Sequence, residues 1–265
     1  MSHFLKLLAL LALILPAGYG LLIEPNWVEV TRWQRQVGLG GKSFKIAQLS
    51  DLHIAEIGRT EQQTLITLKE LKPDLILLTG DVIDHKDSLP ALEAYLKQLP
   101  PAIKVAIFGN WEHWSDVNLQ SLATLYKEND VTLLVNDCLS LAGKGVRLSI
   151  AGLDDYTAGR PDLARTFKNC GKDEPVVLAE HSPGLFDEPP SPEFGNIAFN
   201  LAGHTHGGQL AIGGKAIFTP RGSGRYVAGW YPTAWGDLYV SRGVGTSIIP
   251  LRIGARPEVV LLEIN

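Results

Sequence analysis

His204 and His206 stand one residue apart in a stretch, Gly203 to Gln209, that is walled by glycines. Imidazole suits zinc, iron, manganese and similar ions, and glycine lets backbone approach an ion without a Cβ in the way. A His-x-His pair alone is equally compatible with ordinary loop histidines, so its meaning depends on what else the chain supplies. The chain supplies Asp51, His53, Asp81, Asn110 and His181. All of these are oxygen or nitrogen ligands. Together they exceed the needs of one tetrahedral ion and suit two ions that share a carboxylate. Such a pair clamps the attacking and leaving oxygens of an in-line phosphoryl displacement.

Each of these residues follows an apolar run that reads as a strand. Phe44 to Leu49 leads into Asp51 and His53, and Asp74 to Thr79, unbroken like a strand covered on both faces, leads into Asp81. Ile103 to Phe108 leads into Asn110, Val176 to Glu180 into His181, and Ile197 to Ala202 into the histidine pair. Open α/β sheets keep their sites at such strand ends. Between the strands, Thr60 with Gln63 reads as a capping box opening a helix that carries Leu65, Leu68 and Leu71. Further helices are predicted over Ser88–Leu99, Ser115–Asn129 and Pro161–Lys168. Val131 to Val135 reads as a strand, and Leu139 to Leu153, broken by Gly143 and Gly145, as a hairpin. A proline- and glutamate-rich loop runs from Pro183 to Glu193. Alternating strands and helices that give way to hairpins predict an α/β fold, with sheets inside and helices outside.

At 265 residues the chain suits one large domain. Its formal net charge of −4 lacks the broad basic footprint of a nucleic-acid binder, so no nucleic-acid partner is expected. Cys138 and Cys170 form no Cys-x-x-Cys pairing, which argues against a thiolate zinc site and a disulfide framework and leaves a single bridge open. Leu7 to Ile23 carries no charge over 17 residues, the lower limit for a membrane span. Without an Ala-x-Ala cleavage site, an uncleaved anchor is favoured over a signal peptide. Lys6 before the span and Glu24 and Glu29 after it place the bulk of the chain outside the cytoplasm, on the inner or cytoplasmic membrane. The expected division is an anchor or signal segment over 1–24, a linker over 25–43 with Trp27 and Trp33 at the membrane interface, and a catalytic domain over 44–265.

Asp51-Leu52-His53, Gly80-Asp81, Gly109-Asn110, His181 and Gly203-His204-Thr205-His206 resemble, in order and spacing, the motifs of the calcineurin-like metallophosphoesterase family. The chain's end, Gly243 to Glu258, resembles the membrane-anchored bacterial YaeI/YkuE-like phosphodiesterase branch, which also contains enzymes acting on UDP-2,3-diacylglucosamine. The resemblance implies a four-layer α/β/β/α sandwich and two divalent metal ions (manganese, iron or zinc). It implies that Asp51, His53 and His206 bind the first ion, that Asp81 bridges, and that Asn110, His181 and His204 bind the second. Water would then attack phosphorus, with no protein nucleophile. The expected substrate is a phosphodiester or pyrophosphate with a lipid portion, such as UDP-2,3-diacylglucosamine. A soluble phosphoester and a catalytically silent scaffold stand as alternatives.

One position departs from the family pattern. Trp111 occupies the place after Asn110 where a histidine usually contacts phosphate and assists the leaving group. His113 is the candidate for that acid, with Glu112, or reliance on metal alone, as the other options. Asp84 and His85 are candidates for orienting a ligand, against a solvated helix start. Arg221, Arg225 and Arg252 are candidate phosphate-binding guanidinium groups in the glycine-rich C-terminal third, as is Arg242. Trp230, Tyr231 and Trp235 read either as a substrate or membrane-facing wall or as core.

Overall fold

The computed structural model describes residues 3–142, 145–190 and 196–265. Helix α1 (His3–Gly18) continues as a π-helical turn, Tyr19–Ile23, and leads to strand β1 (Glu29–Arg35). There follow β2 (Phe44–Leu49), α2 (Arg59–Leu71), β3 (Leu75–Thr79), α3 (Leu89–Leu96) and β4 (Ile103–Ile107). Next come α4 (Asn110–Trp114), α5 (Leu119–Glu128), β5 (Val131–Leu133), β6 (Asp137–Ser140), β7 (Ser149–Gly152) and α6 (Leu163–Lys168). The chain closes with β8 (Val176–Ala179), β9 (Ile197–Ala202), the hairpin β10 (Ala211–Ile212) and β11 (Lys215–Ala216), then β12 (Gly229–Thr233), β13 (Gly236–Val240) and β14 (Glu258–Ile264).

Two six-stranded sheets form the centre, in the orders β1-β14-β2-β3-β4-β5 and β12-β13-β9-β8-β7-β6. Strands β2 to β5 run parallel, as do β7, β8, β9 and β13. Period-two alternation splits each strand between two cores. Ile46, Leu75, Leu77 and Val105 meet Ile150, Val177, Phe199 and Leu201 in the layer between the sheets. Ala47, Leu49, Ile76 and Leu78 face the other way, against Leu65 and Leu68 of α2, Leu92 and Tyr95 of α3, and Leu122 and Tyr126 of α5. On the second sheet, Leu178, Ala202 and Val240 are covered by Leu163 and Phe167 of α6 and by the 3-10 turn holding Leu185 and Phe186. Layers of helix, sheet, sheet and helix result, and the strand ends that carry the candidate ligands open on one edge.

Three expectations change. Helix α1 has 16 residues, and among the described residues no helix is long and apolar enough to cross a membrane. Pro16 and the turn at Gly18 to Ile23 end its regular geometry, and the segment beyond docks on the domain. There the Gly20 carbonyl accepts the Arg252 N–H at 3.0 Å, and the buried Glu24 carboxylate accepts the Ala255 N–H at 2.8 Å. The stretch 25–43, expected as a linker, carries β1, paired in parallel with β14 from Glu29↔Glu258 to Arg35↔Ile264. Helix α2 is capped at Gly58 rather than Thr60: the Glu61 carboxylate accepts the Gly58 N–H at 2.9 Å, while Thr60 donates to the Pro25 carbonyl.

Cys138 and Cys170 are joined by a disulfide between β6 and the end of α6. Trp235 is buried, and Trp230 and Tyr231 pack against the cores, so the three aromatics belong to the interior. Gly143 and Lys144, expected to break the hairpin, residues 191–193, expected in the proline- and glutamate-rich loop, and the Lys6 side chain lie outside what is described.

Candidate metal centre

Strands β2, β3 and β4 of one sheet and β8 and β9 of the other end at the same edge, and their loops interlock. Asp51 N–H donates to the Gly80 carbonyl and His53 N–H to that of Asp81, both at 3.0 Å. Across the sheets, His204 N–H donates to the Asp51 carboxylate at 3.0 Å, and Gly203 N–H to the His181 carbonyl at 3.0 Å. Glycine is required where the loops touch: a Cβ on Gly109 would overlap the Asp81 carboxylate, and Gly80 has φ +87° against the Gly109 backbone. Asp51, His53, Asp81, His204 and His206 also hold positive φ (52°, 46°, 52°, 71° and 52°). Left-handed backbone costs a non-glycine residue roughly 1 kcal/mol, and such strain concentrates at functional sites.

The structure brings all seven predicted ligands together in the buried floor of this edge. They form two groups, Asp51–His53–His206 and Asp81–His181–His204, with ligand atoms inside each group within 4.8 Å of one another. Asp81 lies near both, its Oδ2 3.1 Å from His181 Nε2 and 3.9 Å from His53 Nε2. Asn110 joins the second group, its Oδ1 2.7 Å from His204 Nδ1.

The outer nitrogens decide what the inner ones can do. His181 Nδ1–H donates to the Thr79 carbonyl at 2.7 Å, His204 Nε2–H to the Arg221 carbonyl at 2.8 Å, and His53 Nδ1–H to Asp84. In its neutral form each ring then carries its lone pair on the inner nitrogen. The inner nitrogens face carboxylate and amide oxygens: His181 Nε2 lies 3.1 Å from Asp81 Oδ2, His204 Nδ1 2.7 Å from Asn110 Oδ1, and His53 Nε2 3.9 Å from Asp81 Oδ2 and 3.1 Å from His206 Nε2. Nitrogen and oxygen ligand atoms converging in a buried pocket suit cations between them.

The local charges couple these groups: against their burial, the Asp84 hydrogen bond and the Asp81 charge raise His53, and the Asp81 and Asp51 charges raise His181. Burial alone would raise the Asp81 carboxyl, but His181, with His53 and His204 behind it, brings it down to about 2. Burial, then His53 and Arg252, hold His206 well below the ordinary imidazole value, so it resists a proton and keeps a lone pair available. Burial and the His181 charge likewise lower His204. Asp84 orients His53, as one of the two sequence readings had it, whereas His85 is exposed and pairs with Asp87.

The family model for calcineurin-like phosphoesterases matches residues 44–208. The chain belongs to that family. Members use two divalent metals, in number equal to the two ligand groups here, and the chain is a metal-dependent phosphoric ester hydrolase. Among curated relatives, the uncharacterised metallophosphoesterase YkuE of Bacillus subtilis is 32% identical, over 94% of this chain and 89% of its own length. The phosphodiesterase YaeI of Escherichia coli is 32% identical over 93% and 92%, and an uncharacterised metallophosphoesterase of Aquifex aeolicus 30% over 93% and 93%. The Asp51, His53, Asp81, Asn110, His181, His204 and His206 positions of this calcineurin-like chain meet in one buried centre.

The remaining candidates separate. Trp111 stands edge-on to the His53 ring, with centroids 6.0 Å apart, at the rim of the first group. His113 turns elsewhere, its Nε2 2.8 Å from Asp154 Oδ1 and its ring edge-on to Phe108. Arg252, expected to take phosphate oxygens, is fully buried and donates to the carbonyls of Gly245, Arg242 and Ala255, with Nη2 3.2 Å from His206 Nδ1. Arg242 is held by Glu258 and Glu29, and Arg225 pairs with Asp187 at 3.2 Å and donates to the Pro232 carbonyl. Arg221 lines a cleft with Trp114, Tyr156, Thr157 and Glu188.

Glu112, weighed only as an acid, has a different role. Its buried carboxylate accepts the N–H groups of Gly109 at 2.6 Å, Asp81 at 2.9 Å and Val82 at 2.7 Å. It thus joins the bridging loop to the Asn110 loop. Burial and the nearby Asp81 charge push its carboxyl up to about 7, against the opposing pull of the Gly109 and Val82 N–H groups.

Proposed function

We propose that the chain is a two-metal phosphodiesterase that hydrolyses a phosphodiester or pyrophosphate bond in a substrate with a lipid portion, UDP-2,3-diacylglucosamine being the representative case. The observation that carries the two-metal reading is the convergence of the inner nitrogens of His53, His181 and His204 on Asp51, Asp81 and Asn110, with their outer nitrogens already committed. Asp51, His53 and His206 would hold one ion, Asn110, His181 and His204 the other, and Asp81 would reach both. Two such ions supply Lewis-acid activation of water and charge stabilisation on the phosphoryl group.

The chain's own residues do the rest. Asp84, Thr79 and the Arg221 carbonyl fix the rings of His53, His181 and His204, and Glu112 fixes the two loops that carry Asp81 and Asn110. Trp111 offers no proton for the departing oxygen, and His113 holds its Nε2 against Asp154. Leaving groups that depart as stable anions therefore suit this site.

The lipid portion, and a catalytic domain held at the outer side of a membrane, are supported by the uncharged run Leu7 to Ile23, by the exposure of Leu10, Ile14 and Leu15, and by the Cys138–Cys170 bridge, which persists in oxidising compartments. The test is a hydrolysis screen of metal-reconstituted full-length protein on a phosphomonoester, a simple phosphodiester and UDP-diacylglucosamine in mixed micelles. Metal-dependent turnover of the lipid-bearing substrate above both others is expected. Preference for the simple diester would leave a tethered enzyme for soluble substrates, and inertness of two-ion protein on all three would leave a silent scaffold.

A further inference from the structure

Beside the metal centre the surface turns apolar. A cleft that begins at Thr205 and His206 opens between two loops, one bearing Ile217 and Phe218 and the other Ile248 and Ile249. These side chains are not packed away: Ile248 is 88% exposed, Phe218 70% and Ile217 64%, and Ile212 on the neighbouring hairpin is 72% exposed. Apolar residues scattered singly over a surface mean little, but a contiguous set at the rim of a site marks a contact surface.

The Ile248 loop is held rigidly in this pose. Gln209 Nε2–H donates to the Ile249 carbonyl at 2.8 Å, and Gln209 Oε1 accepts the Ser247 N–H at 2.9 Å. Ile248 itself has φ +64°. Glycine or asparagine occupies such a position without cost in a turn adapted to water, whereas a β-branched residue there is strained. An isoleucine that is both strained and almost fully exposed gains nothing from water and would gain from an apolar surrounding.

Two observations indicate what that surrounding is. Leu21, Leu22 and Ile23 are exposed where the N-terminal segment docks, because Gly20 packs against Leu251 and Ile253 and its carbonyl accepts the Arg252 N–H at 3.0 Å. The apolar N-terminal segment therefore meets the chain a few residues beyond the Ile248 loop. The 243–254 stretch also carries no charge except buried Arg252, and 209–218 carries only Lys215. A protein partner seated here would also close the cleft that leads to His206, while a lipid surface could supply substrate through it.

We propose that the loops around Phe218 and Ile248 insert into the acyl boundary of a bilayer and set the metal centre at the lipid interface. With a formal net charge of −4 the chain has no attraction to anionic headgroups, so insertion rests on apolar area and is insensitive to salt. The choice of lipid over a protein partner rests on the lipid-bearing substrate proposed above, while the test reads contact with lipid and not turnover, so that each can fail without the other.

The test uses the full chain with one added thiol, Ile248→Cys or Phe218→Cys, labelled with an environment-sensitive fluorophore, and Lys127→Cys on α5 as the control. Phosphatidylcholine vesicles carrying nitroxide on the acyl chains should quench the label at 248 and 218 and leave the label at 127 unchanged. In a parallel experiment, Ile248→Ser combined with Phe218→Ser should weaken partitioning into phosphatidylcholine vesicles about tenfold, with no dependence on salt. Vesicle-bound protein with an unquenched label at 248 and 218, or unchanged partitioning of the double variant, would show that the N-terminal segment alone meets lipid and would overturn the proposal. Absence of binding to vesicles, or a label at 248 that becomes buried with protein concentration and without lipid, would overturn it as well, the latter in favour of a second copy.

Discussion

The buried carboxylate of Glu112 accepts the backbone N–H of Asp81, the residue that lies between the two ligand groups, at 2.9 Å. With Val82 and Gly109 also bound, one side chain satisfies three backbone donors that have no route to water. Removing it by Glu112→Ala leaves those donors unpaired, at about 1–3 kcal/mol for each buried group before relaxation. The expected outcome is a loss of several degrees in Tm together with a fall in bound metal below two ions per chain. Glu112→Gln keeps one acceptor oxygen and should fall between wild type and alanine. Unchanged Tm and metal content in the alanine variant would remove Glu112 from the support of the site.

Asp84 acts through His53. Its carboxylate accepts the His53 Nδ1–H and so directs the Nε2 lone pair toward Asp81 and His206. Orienting carboxylates of this kind are worth about 10–100-fold in metal affinity or activity. Asp84→Asn should weaken one ion of the pair by about that factor and leave the other unchanged, read as a split in the metal titration. Equal weakening of both ions would place the effect in the general fold rather than in His53.

The seven candidate ligands were legible because their placement follows from local sequence. Each of Asp51, His53, Asp81, Asn110, His181, His204 and His206 ends an apolar run, and parallel strands deliver their C-terminal ends to one edge. What was not legible depends on partners far along the chain. Arg252 reads as a surface guanidinium until the carbonyls of Arg242, Gly245 and Ala255 are folded around it. Glu24 reads as a charge past a membrane span until the Ala255 N–H, 231 residues on, is found on it. Strand β1, Glu-Val-Thr-Arg-Trp-Gln-Arg, is an edge strand whose polar composition hides it, and only its pairing with β14 reveals it. The early helix cap misled for a local reason: Thr60 has the right type, but Glu61 reaches Gly58 first.

Trp111 cannot protonate a leaving oxygen, and this predicts a steep dependence on the leaving group. Nitrophenyl diesters should turn over far faster than alkyl diesters, since only the latter need an acid. Trp111→His should restore alkyl-ester turnover more than nitrophenyl turnover. His113→Ala should reduce both by the same small factor, because His113 is bonded to Asp154. A selective loss on alkyl esters in His113→Ala would return His113 to the chemistry.

The His113–Asp154 pair also predicts a pH dependence of stability. The Asp154 hydrogen bond outweighs burial and raises the His113 pKa, while His113 and the Arg160 N–H outweigh burial and hold Asp154 below the usual carboxylate range. A raised histidine stabilises the fold fully below its unfolded value of about 6.5 and loses that contribution as pH rises through its folded value. A depressed aspartate stabilises above its unfolded value of about 3.9 and loses that contribution as pH falls through its folded value. The pair is therefore worth most between about pH 4 and pH 6.5. Asp154→Asn should cost more stability at the middle of that window than well above it, measured by denaturant unfolding. The His113 ring signals in NMR should titrate nearer the free-imidazole value in the variant. A cost independent of pH would mean that Asp154 acts only through the turn it caps at Asp155 and Arg160.

Cys138 and Cys170 close a loop of sequence separation 32 between an edge strand of the second sheet and the helix that covers it. Closing a loop of that length restricts the unfolded chain by about 3–4 kcal/mol on the chain-entropy account. Natively produced protein should show no reactive thiol when unfolded without reductant, and two after reduction. Reduction, or Cys138→Ser, should lower unfolding stability by about 2–4 kcal/mol. Metal content should hold at two ions, because β6 and α6 carry none of the ligands. Since such a bridge persists in an oxidising compartment, protein made with reduced cysteines should be the less stable form, and oxidation in vitro should recover the difference. Two free thiols in protein isolated from its native setting, or stability that reduction does not change, would remove both the stabilising role of the bridge and its support for a place outside the cytoplasm.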